Sequence, residues 1–316
     1  MAKAAKPLVY NATLAERIDL TSSLALFRVK PDEYPAELPW FVPGQYCVLG
    51  LNNEAKPELG SVRRSMSIAS APEDRGPVEF YIRFVANPES ENPLTHLLWK
   101  TRAGDRVYMR PVAAGNFTIK DCVGDADRRL KVLVAAGTGS APFVCMARSE
   151  LRRDPKADLS SYCLLHGASY AADLGHRDEL LRLTREHGLH YHGTVSRPKE
   201  AGDWTGDVGR VEDYFLPGRL AALEQRVGLG AGGFVPSRAV VFVCGLQGTI
   251  GNSIIRLIDR GFVPDHKRIR EALGVEKDVP ATLFFEQYDT EPVIDIKDPA
   301  IIDPLRARMQ AALGRR

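Results

Sequence analysis

The sequence predicts two domains, an antiparallel β-barrel followed by an α/β domain built on a parallel sheet. The chain has 316 residues, which is too long for one compact core and suits two domains of about 100 to 200 residues each. Short β-type runs dominate residues 1–128, and buried strands alternate with helices over residues 129–290. Residues 291–316 form a C-terminal extension.

Composition excludes several classes of protein. Apolar residues make up 44% of the chain and charged residues 26%, as in an ordinary globular protein, and no run approaches the roughly 18 apolar residues of a membrane span. The formal charge of +2 is small and evenly spread, which argues against a nucleic-acid partner. The five cysteines show no C-x-x-C spacing, so we expect neither a disulfide framework nor a metal site. Because the start lacks an apolar leader, we expect a cytoplasmic protein.

The predicted barrel strands are short runs of aliphatic, aromatic and β-branched residues with Pro and Gly between them. A helical stretch over 93–102 interrupts them, and the polar segment 121–129 is the expected linker between the domains. The clearest strands of this half are 25–29, 45–50, 78–85 and 105–110.

From residue 130 the pattern becomes apolar strand, glycine turn and helix. Buried strands are predicted at 130–136, 161–166 and 239–244. Strands that alternate with helices indicate a parallel sheet covered by helices on both faces.

The tail carries a further predicted helix over 304–313. Leu305, Met309 and Leu313 fall on one stripe of this helix. We expect the stripe to pack on the helix's own domain, and a partner-binding arm is the alternative.

The strongest local signal is the turn Gly137-Thr138-Gly139, which lies between a buried strand and a helix. Glycines let backbone N–H groups approach a pyrophosphate, which the positive end of the helix also attracts. The turn therefore indicates a dinucleotide site. Two glycines without a full G-x-G-x-x-G also occur in many other tight turns of this kind.

A second signal lies in the β-rich half, where Arg63 and Arg64 precede three serines that are separated by apolar residues, the last of them Ser70. A guanidinium can pair with phosphate through two hydrogen bonds, and the hydroxyls can hydrogen-bond a flavin. Taken alone, the run equally fits a solvated strand.

In this order and at this separation, the two signals resemble those of the ferredoxin-NADP reductase family, particularly its bacterial ferredoxin/flavodoxin reductase branch. Residues 64–67 are similar to the family's Arg-x-Tyr-Ser flavin motif, and residues 137–142 to its Gly-Thr-Gly-x-Ala-Pro motif. Three later matches also resemble family motifs and follow in the family's order: 166–173, 194–197 with 205–206, and 242–245.

The resemblance implies an FAD-dependent oxidoreductase that transfers electrons between NAD(P)H and a one-electron carrier, ferredoxin or flavodoxin, by hydride transfer to flavin N5. Ser67, Thr138 and Cys244 would lie at the reacting centre. The implied FAD contacts are Arg64, Ser65, Met66, Ser67, Tyr81, Ile82, Arg83, Leu94, Thr95 and Thr138, with Phe285 or Tyr288 as the cover of the flavin. The implied NAD(P) contacts are Gly137, Gly139, Pro142, Ser169, Ser196, Arg197, Asp207, Cys244 and Gly245.

Three positions depart from the family's pattern. Met66 replaces the usual tyrosine, so a polarizable thioether stands in place of a ring and a hydroxyl. Ser169 and Asp207 stand where bacterial relatives often carry arginines for the 2′-phosphate of NADP. A carboxylate at position 207 would repel that phosphate and could bind the free ribose diol of NAD, whereas the nearby Arg210 could compensate. NADH and NADPH therefore both stay open.

Other functions remain beside this one. The chain could be the reductase component of an oxygenase system, or an NADH-dependent flavin reductase or diaphorase. A redox-sensing flavoprotein is the non-enzymatic alternative. The basic run 266–270 fits a docking site for an acidic carrier and also a solvated helix face.

Two further candidates have simpler interpretations. His187, His190 and His192 are spaced like part of a metal cluster, but a strand edge is the favoured interpretation. Cys244, considered apart from the resemblance, is a small buried hydrophobe.

Overall fold

The computed structural model describes residues 7–198 and 204–314, and these form two compact units. Within the described residues, the first unit comprises 7–122 and 141–157, and the second comprises 123–140, 158–198 and 204–314. The chain thus returns to the first unit once before completing the second. The sequence predicts a single boundary near residue 129 and gives no sign of this return.

The first unit is built on six antiparallel strands: β1 (Ala12–Thr21), β2 (Leu24–Pro31), β3 (Tyr46–Asn52), β4 (Ser61–Ser67), β5 (Val78–Arg83) and β6 (Arg106–Met109). Their order in the sheet is β4-β3-β6-β1-β2-β5. A bridge between Ile68, just beyond β4, and Phe80 in β5 links the two outer strands, so the sheet closes into a barrel. Fully buried side chains such as Phe27 and Phe80 fill its interior. The predicted barrel is confirmed.

Three helices belong to the first unit: α1 (Leu94–Leu98), α2 (Ile119–Cys122) and α3 (Ala141–Arg153). α1 is shorter than the predicted helix 93–102, because the Lys100 and Thr101 N–H groups donate to carbonyls three residues back rather than four. The segment 121–129, predicted as a linker, begins inside α2. The hydroxyl of Thr118 accepts a hydrogen bond from the Asp121 N–H and so supports that short helix.

α3 packs with the barrel rather than with the second unit. Its Arg148 donates to the nearly buried carboxylate of Glu79 at 2.7 Å and to the carbonyl of Ala69 at 3.0 Å. Arg28 in β2 pairs with the same carboxylate at 2.9 Å. Because a buried carboxylate is costly without partners, this pairing ties α3 to the barrel. Cys145 completes the contact inside the barrel core.

The second unit is built on six parallel strands: β7 (Leu130–Ala136), β8 (Tyr162–Ala168), β9 (His190–Val195), β10 (Asp207–Val208), β11 (Ala239–Gly245) and β12 (Leu283–Gln287). Their order is β10-β9-β8-β7-β11-β12. β11 is buried along its whole length and β7 and β8 along nearly all of theirs, which explains their continuous apolar sequences. The predicted α/β domain is confirmed.

Five helices accompany this sheet: α4 (Arg177–His187), α5 (Pro217–Arg226), α6 (Gln247–Leu257), α7 (Lys267–Ala272) and α8 (Pro299–Leu313). None of the helices in 7–198 and 204–314 is long and apolar enough to cross a membrane.

The C-terminal tail is part of the second unit's core. Leu305 and Met309 of α8 are buried there, and Leu313 packs partly against it, as the predicted stripe requires. The tail also crosses α6 so closely that a Cβ on Gly251 would overlap the carbonyl oxygen of Val293. The expectation that this helix packs on its own domain is confirmed, with a start five residues earlier than predicted.

Candidate functional site

The sheet of the second unit has a switch point between β7 and β11. From β7 the chain builds β8, β9 and β10 on one side, and β11 and β12 follow on the other. In open α/β sheets, ligands bind at the carboxyl ends of the strands where the order reverses in this way. The turn after β7 and the end of β11 therefore mark the candidate site.

The glycine turn rests directly on the end of β11. Gly137 has a φ of +56°, a left-handed conformation that glycine adopts without strain. A Cβ on Gly139 would overlap the carbonyl oxygen of Cys244, and a Cβ on Gly245 would come within 3.0 Å of the Ala136 side chain. Gly139 is thus required because the backbone of the turn meets the carbonyl of Cys244, and Gly245 leaves little room for a side chain beside Ala136.

Several predicted residues gather at this point. The turn brings Gly137, the half-exposed Thr138 and Gly139 next to Cys244 and Gly245. Pro142 is buried in α3, which packs with the first unit.

Ser140, the last residue of the turn, suits an oxygen-rich ligand. It is fully buried, and its hydroxyl has no hydrogen-bond partner among the residues described. Buried hydroxyls are normally paired, so this one has donor capacity to spare beside the glycines. The turn is therefore chemically compatible with a pyrophosphate.

Cys244 lies in a small polar cluster at the end of β11. Its Sγ lies 3.1 Å from the hydroxyl of Tyr288 and 3.9 Å from the Glu286 carboxylate. Burial, reinforced by the charge of Glu286, raises the pKa of Cys244 well above its ordinary value, so the group is a neutral thiol at pH 7. A neutral thiol is a hydrogen-bond donor of modest strength and not a nucleophile.

The geometry separates the two candidates for the flavin cover. Tyr288 is 43% exposed, and its N–H donates to the carbonyl of Gly245 at 3.1 Å. Phe285 packs instead against the core of the second unit and stacks on His266. Only Tyr288 presents its ring beyond the strand.

Sequence reasoning missed Glu286. β11 and β12 are in register, so Cys244 lies opposite Glu286, and Gly245 lies opposite Gln287. The sequence could have revealed this pairing only if β12 had been recognised as the parallel neighbour of β11, because the last residues of the two strands then lie side by side.

The ends of β8 and β9 bring together another predicted group. The Ser196 N–H donates to the carbonyl of Ala168, and the Arg197 N–H donates to the carbonyl of Ser169, both at 3.0 Å. The guanidinium of Arg197 lies over the ring of Tyr170 and donates to its hydroxyl at 2.8 Å. Ser169, Ser196 and Arg197 are therefore neighbours.

Asp207 is engaged within the second unit. Its carboxylate accepts hydrogen bonds from Arg226 and from the hydroxyl of Tyr214, each at 2.7 Å. Burial acts to raise the pKa of Asp207, but these hydrogen bonds and the Arg226 charge outweigh it and lower the pKa. The carboxylate is thus ionised and its charge is already paired.

The predicted flavin motif lies on β4, an outer strand of the first unit. Side chains alternate along a strand, so Arg64 and Met66 share one face and Ser65 and Ser67 the other. Arg64 is exposed, and its one hydrogen bond within the described chain goes to the carbonyl of Arg63 at 2.8 Å. The guanidinium therefore keeps most of its donors for a phosphate, which is the group FAD would offer.

The side chains of the other predicted flavin residues are less accessible to a ligand than that of Arg64. Tyr81, Ile82 and Leu94 are buried, so their side chains fill the core. Arg83 is half-buried at the end of β5. The hydroxyl of Thr95 accepts a hydrogen bond from the Val85 N–H at 3.3 Å.

His190 and His192 lie in a strand, as interpreted from sequence, whereas His187 belongs to a helix. His187 ends α4, and His190 and His192 lie in β9. Burial lowers the pKa of His192 to about 4, so its ring is neutral at pH 7. The described part of the chain contains no cluster of three or more possible metal ligands from His, Cys, Asp and Glu.

Comparison with known proteins agrees with this arrangement. The family model described as an oxidoreductase NAD-binding domain matches residues 133–251, which include the glycine turn and Cys244. Ferredoxin--NADP reductase B of Sorangium cellulosum is 29% identical over 203 residues, covering 64% of this chain and 73% of that protein. The chain is thus similar to NAD-binding oxidoreductases and to a ferredoxin-NADP reductase.

Other relatives have different roles in their names. The xylene/toluene monooxygenase electron transfer component of Pseudomonas putida is 25% identical over 217 residues, which are 68% of this chain and 56% of that protein. Methane monooxygenase component C of Methylosinus trichosporium is 33% identical over 145 residues, 46% of this chain and 37% of that protein. The chain thus spans about half the length, or less, of these two relatives.

Solved structures share the fold of this chain. A ferredoxin NADP+ reductase from Neisseria gonorrhoeae, solved with bound FAD and NADP, aligns with a TM-score of 0.67 at 20% identity. The alignment covers 88% of this chain and 97% of that one. At this identity, the likeness concerns the fold.

Proposed function

We propose that the protein is an FAD-dependent oxidoreductase that takes electrons from NAD(P)H and delivers them to a one-electron carrier protein. The observation that carries this proposal is the glycine turn of Gly137 and Gly139, pressed against Cys244 and Gly245 at the switch point of the sheet. In this proposal the dinucleotide binds to the second unit and FAD to the barrel of the first.

Each group has a part that its chemistry supports. The glycine turn and Ser140 would bind the pyrophosphate of the dinucleotide. Cys244 would stand beside the nicotinamide as a neutral donor, held by Tyr288. Arg64 would pair with the FAD pyrophosphate. When bound, the flavin supplies the chemistry that accepts a hydride from the nicotinamide and releases electrons one at a time.

The charge pattern favours acceptance of NADPH as well as NADH. Asp207 is neutralised by Arg226 and so presents little net charge to a 2′-phosphate. Arg210 follows Gly209, whose N–H donates to the carbonyl of Val195 at the same edge as Arg197. Arg197 and Arg210 thus both lie near the end of β9. We expect kcat/KM for NADPH to be at least equal to that for NADH, and a clear NADH preference would contradict this.

The carrier is proposed as ferredoxin or flavodoxin, supported by the relative from Sorangium cellulosum. The second candidate is the iron-sulfur or haem component of an oxygenase, which the two monooxygenase relatives favour. Both candidates require the same module, so the carrier must be tested directly.

The test is steady-state turnover with purified, FAD-loaded protein. NADPH or NADH is supplied with a ferredoxin, a flavodoxin or an oxygenase component, and reduction of each carrier is followed by its own absorbance. Saturable reduction of one carrier supports the proposal and selects between the two candidates. Reduction of free flavin alone, with no carrier reduced, would instead indicate a flavin reductase.

A further inference from the structure

A buried histidine lies beneath the glycine turn. His166 in β8 is fully buried, and its Nε2 lies 3.0 Å from the carbonyl oxygen of Gly137, the first residue of the turn. The proposed function gives this ring no role. Yet its imidazole forms a hydrogen bond with the backbone of the glycine turn.

The partners of the ring fix its protonation. A carbonyl oxygen can only accept, so Nε2 of His166 must carry the proton. Burial lowers the pKa of His166 to about 4, so the ring is neutral at pH 7 and Nδ1 has a free lone pair. The hydroxyl of Tyr191 lies 3.5 Å from Nδ1 and can donate to it. The hydrogen bonds thus run in one direction, from Tyr191 to His166 to Gly137.

Three neighbouring strands build this arrangement. β7 ends in the turn, β8 carries His166 and β9 carries Tyr191. The register places Gly193 of β9 directly beside His166. A Cβ on Gly193 would come within 3.2 Å of the Tyr191 hydroxyl oxygen. The absence of a side chain at Gly193 therefore leaves room for the tyrosine hydroxyl next to the imidazole.

The Gly137 carbonyl needs such an anchor. Glycine adopts left-handed and right-handed conformations with similar ease, so the peptide after Gly137 can rotate at low cost. A carbonyl that rotates toward the ligand would present its negative end to a pyrophosphate and would turn away the N–H that the phosphate requires. A hydrogen bond from below opposes this rotation.

We propose that His166 is a positioning residue for the dinucleotide, holding the Gly137 carbonyl through Nε2–H while Tyr191 orients the ring. This inference rests on the proposed function, since it concerns the nucleotide that the turn would bind. It adds a requirement for two buried side chains that do not themselves touch the ligand.

The test compares His166→Leu, which removes the donor, with His166→Gln, which offers a side-chain N–H at a similar reach. His190→Leu is the matched control, because it makes the same change in β9 away from the turn. Each FAD-loaded variant is titrated with NADP+ and NAD+ by the visible spectrum of the flavin. KM and kcat for NADPH and NADH are measured with ferricyanide as acceptor.

For His166→Leu we expect Kd and KM to rise about tenfold, the equivalent of one net hydrogen bond, with kcat within about twofold of wild type. His166→Gln should recover most of the affinity, and His190→Leu should bind as wild type does. A Kd within about twofold of wild type for folded His166→Leu overturns the inference, even if its melting temperature falls, because a purely structural role predicts that result.

If His166→Leu does not fold, Tyr191→Phe decides. Loss of the hydroxyl should raise Kd about threefold without altering FAD content, and an unchanged Kd overturns the inference. Failure of the wild type to bind either nucleotide would defeat the proposed function itself. Nucleotide binding by the wild type that is unaffected by these variants would defeat only the role of His166.

Discussion

The glycine turn of the second unit is fixed by its backbone, whereas the Arg64 segment of the first unit offers side chains on an outer strand. Gly139 lies against the Cys244 carbonyl, and His166 holds the Gly137 carbonyl from below. Arg64 is exposed and touches the backbone of its neighbour. The difference teaches that nucleotide binding should be sensitive to the position of single backbone atoms. Flavin anchoring should depend instead on the charge of Arg64 and should tolerate unusual neighbours such as Met66.

The backbone-fixed region should collapse if its support is removed. The tail packs on α6, which begins just after Gly245, and buries Ile302, Leu305 and Met309. Each buried side chain of this kind contributes about 1.5–3 kcal/mol, so a chain that ends at Tyr288 should lose a large share of its stability. We expect little soluble protein with a folded second unit, as judged by circular dichroism and proteolysis.

A milder change tests the same support with a control. Met309→Ala should lower the free energy of unfolding by about 2–5 kcal/mol in chemical denaturation. Ile301→Ala lies in the same helix, where the side chain is 40% exposed, and should change it by no more than about 0.5 kcal/mol. Equal effects of the two substitutions would show that the tail is not part of the core.

Within the turn, one added carbon should be enough to impair nucleotide use. Gly139→Ala places a Cβ on the Cys244 carbonyl, so the turn or the end of β11 must move. Misplacement by about 1 Å can lower rates about a hundredfold, and we expect a loss of that order in kcat/KM for NAD(P)H with FAD content unchanged. Gly218→Ala is the control, because a Cβ there has no neighbour within 4 Å. Wild-type kinetics for Gly139→Ala would refute the close approach.

These requirements on the backbone explain which parts of the site could be predicted from sequence. Gly137 and Gly139 are recognisable because close backbone approach permits few other residues. The engagement of Asp207 by Arg226 could not be predicted, since α5 and β10 meet only in the folded unit. Glu286 was missed for the same reason. It becomes a neighbour of Cys244 only through the pairing of β11 with β12.

The fold, too, has features that the sequence predicts and features that depend on contacts between distant residues. Alternation of apolar strands and glycine turns identified the parallel sheet. The pairing of α3 with the barrel depends on Arg148 and Glu79, which are 69 residues apart. The sequence predicts a start of α8 at Pro304, five residues too late, because a proline is common in the first turn of a helix. The true start has Pro299 in the first turn and Asp298 as its cap, which accepts a hydrogen bond from the Ala300 N–H.

In the Arg64 segment, FAD affinity should depend on the charge of the side chain. Arg64→Met removes the guanidinium proposed to pair with the FAD pyrophosphate, and a charge-assisted hydrogen bond contributes about 1.5–3 kcal/mol. We therefore expect the Kd for FAD to rise about tenfold to a hundredfold, measured by fluorescence titration of apoprotein. Arg63→Met is the control on the opposite face of β4. If both variants bind FAD equally well, Arg64 is not the anchor.

The smallest effect concerns coenzyme choice. Arg226→Met would expose the negative charge of Asp207, which stays ionised at neutral pH because its pKa is lowered. The ratio of kcat/KM for NADPH to that for NADH should then fall by about threefold to tenfold, since the unpaired carboxylate repels a 2′-phosphate. Arg226→Lys keeps the charge and should leave the ratio close to that of wild type. An unchanged ratio for Arg226→Met would place the 2′-phosphate away from Asp207.

The most direct test of the central claim is anaerobic titration of the FAD-loaded wild-type protein with NADPH and with NADH, followed by the visible absorbance of the flavin. Electron transfer from a nucleotide on the second unit predicts stoichiometric loss of the oxidised flavin spectrum with at least one of the two. A protein that binds FAD but keeps its oxidised spectrum with both nucleotides, or one that binds no FAD, would contradict the account.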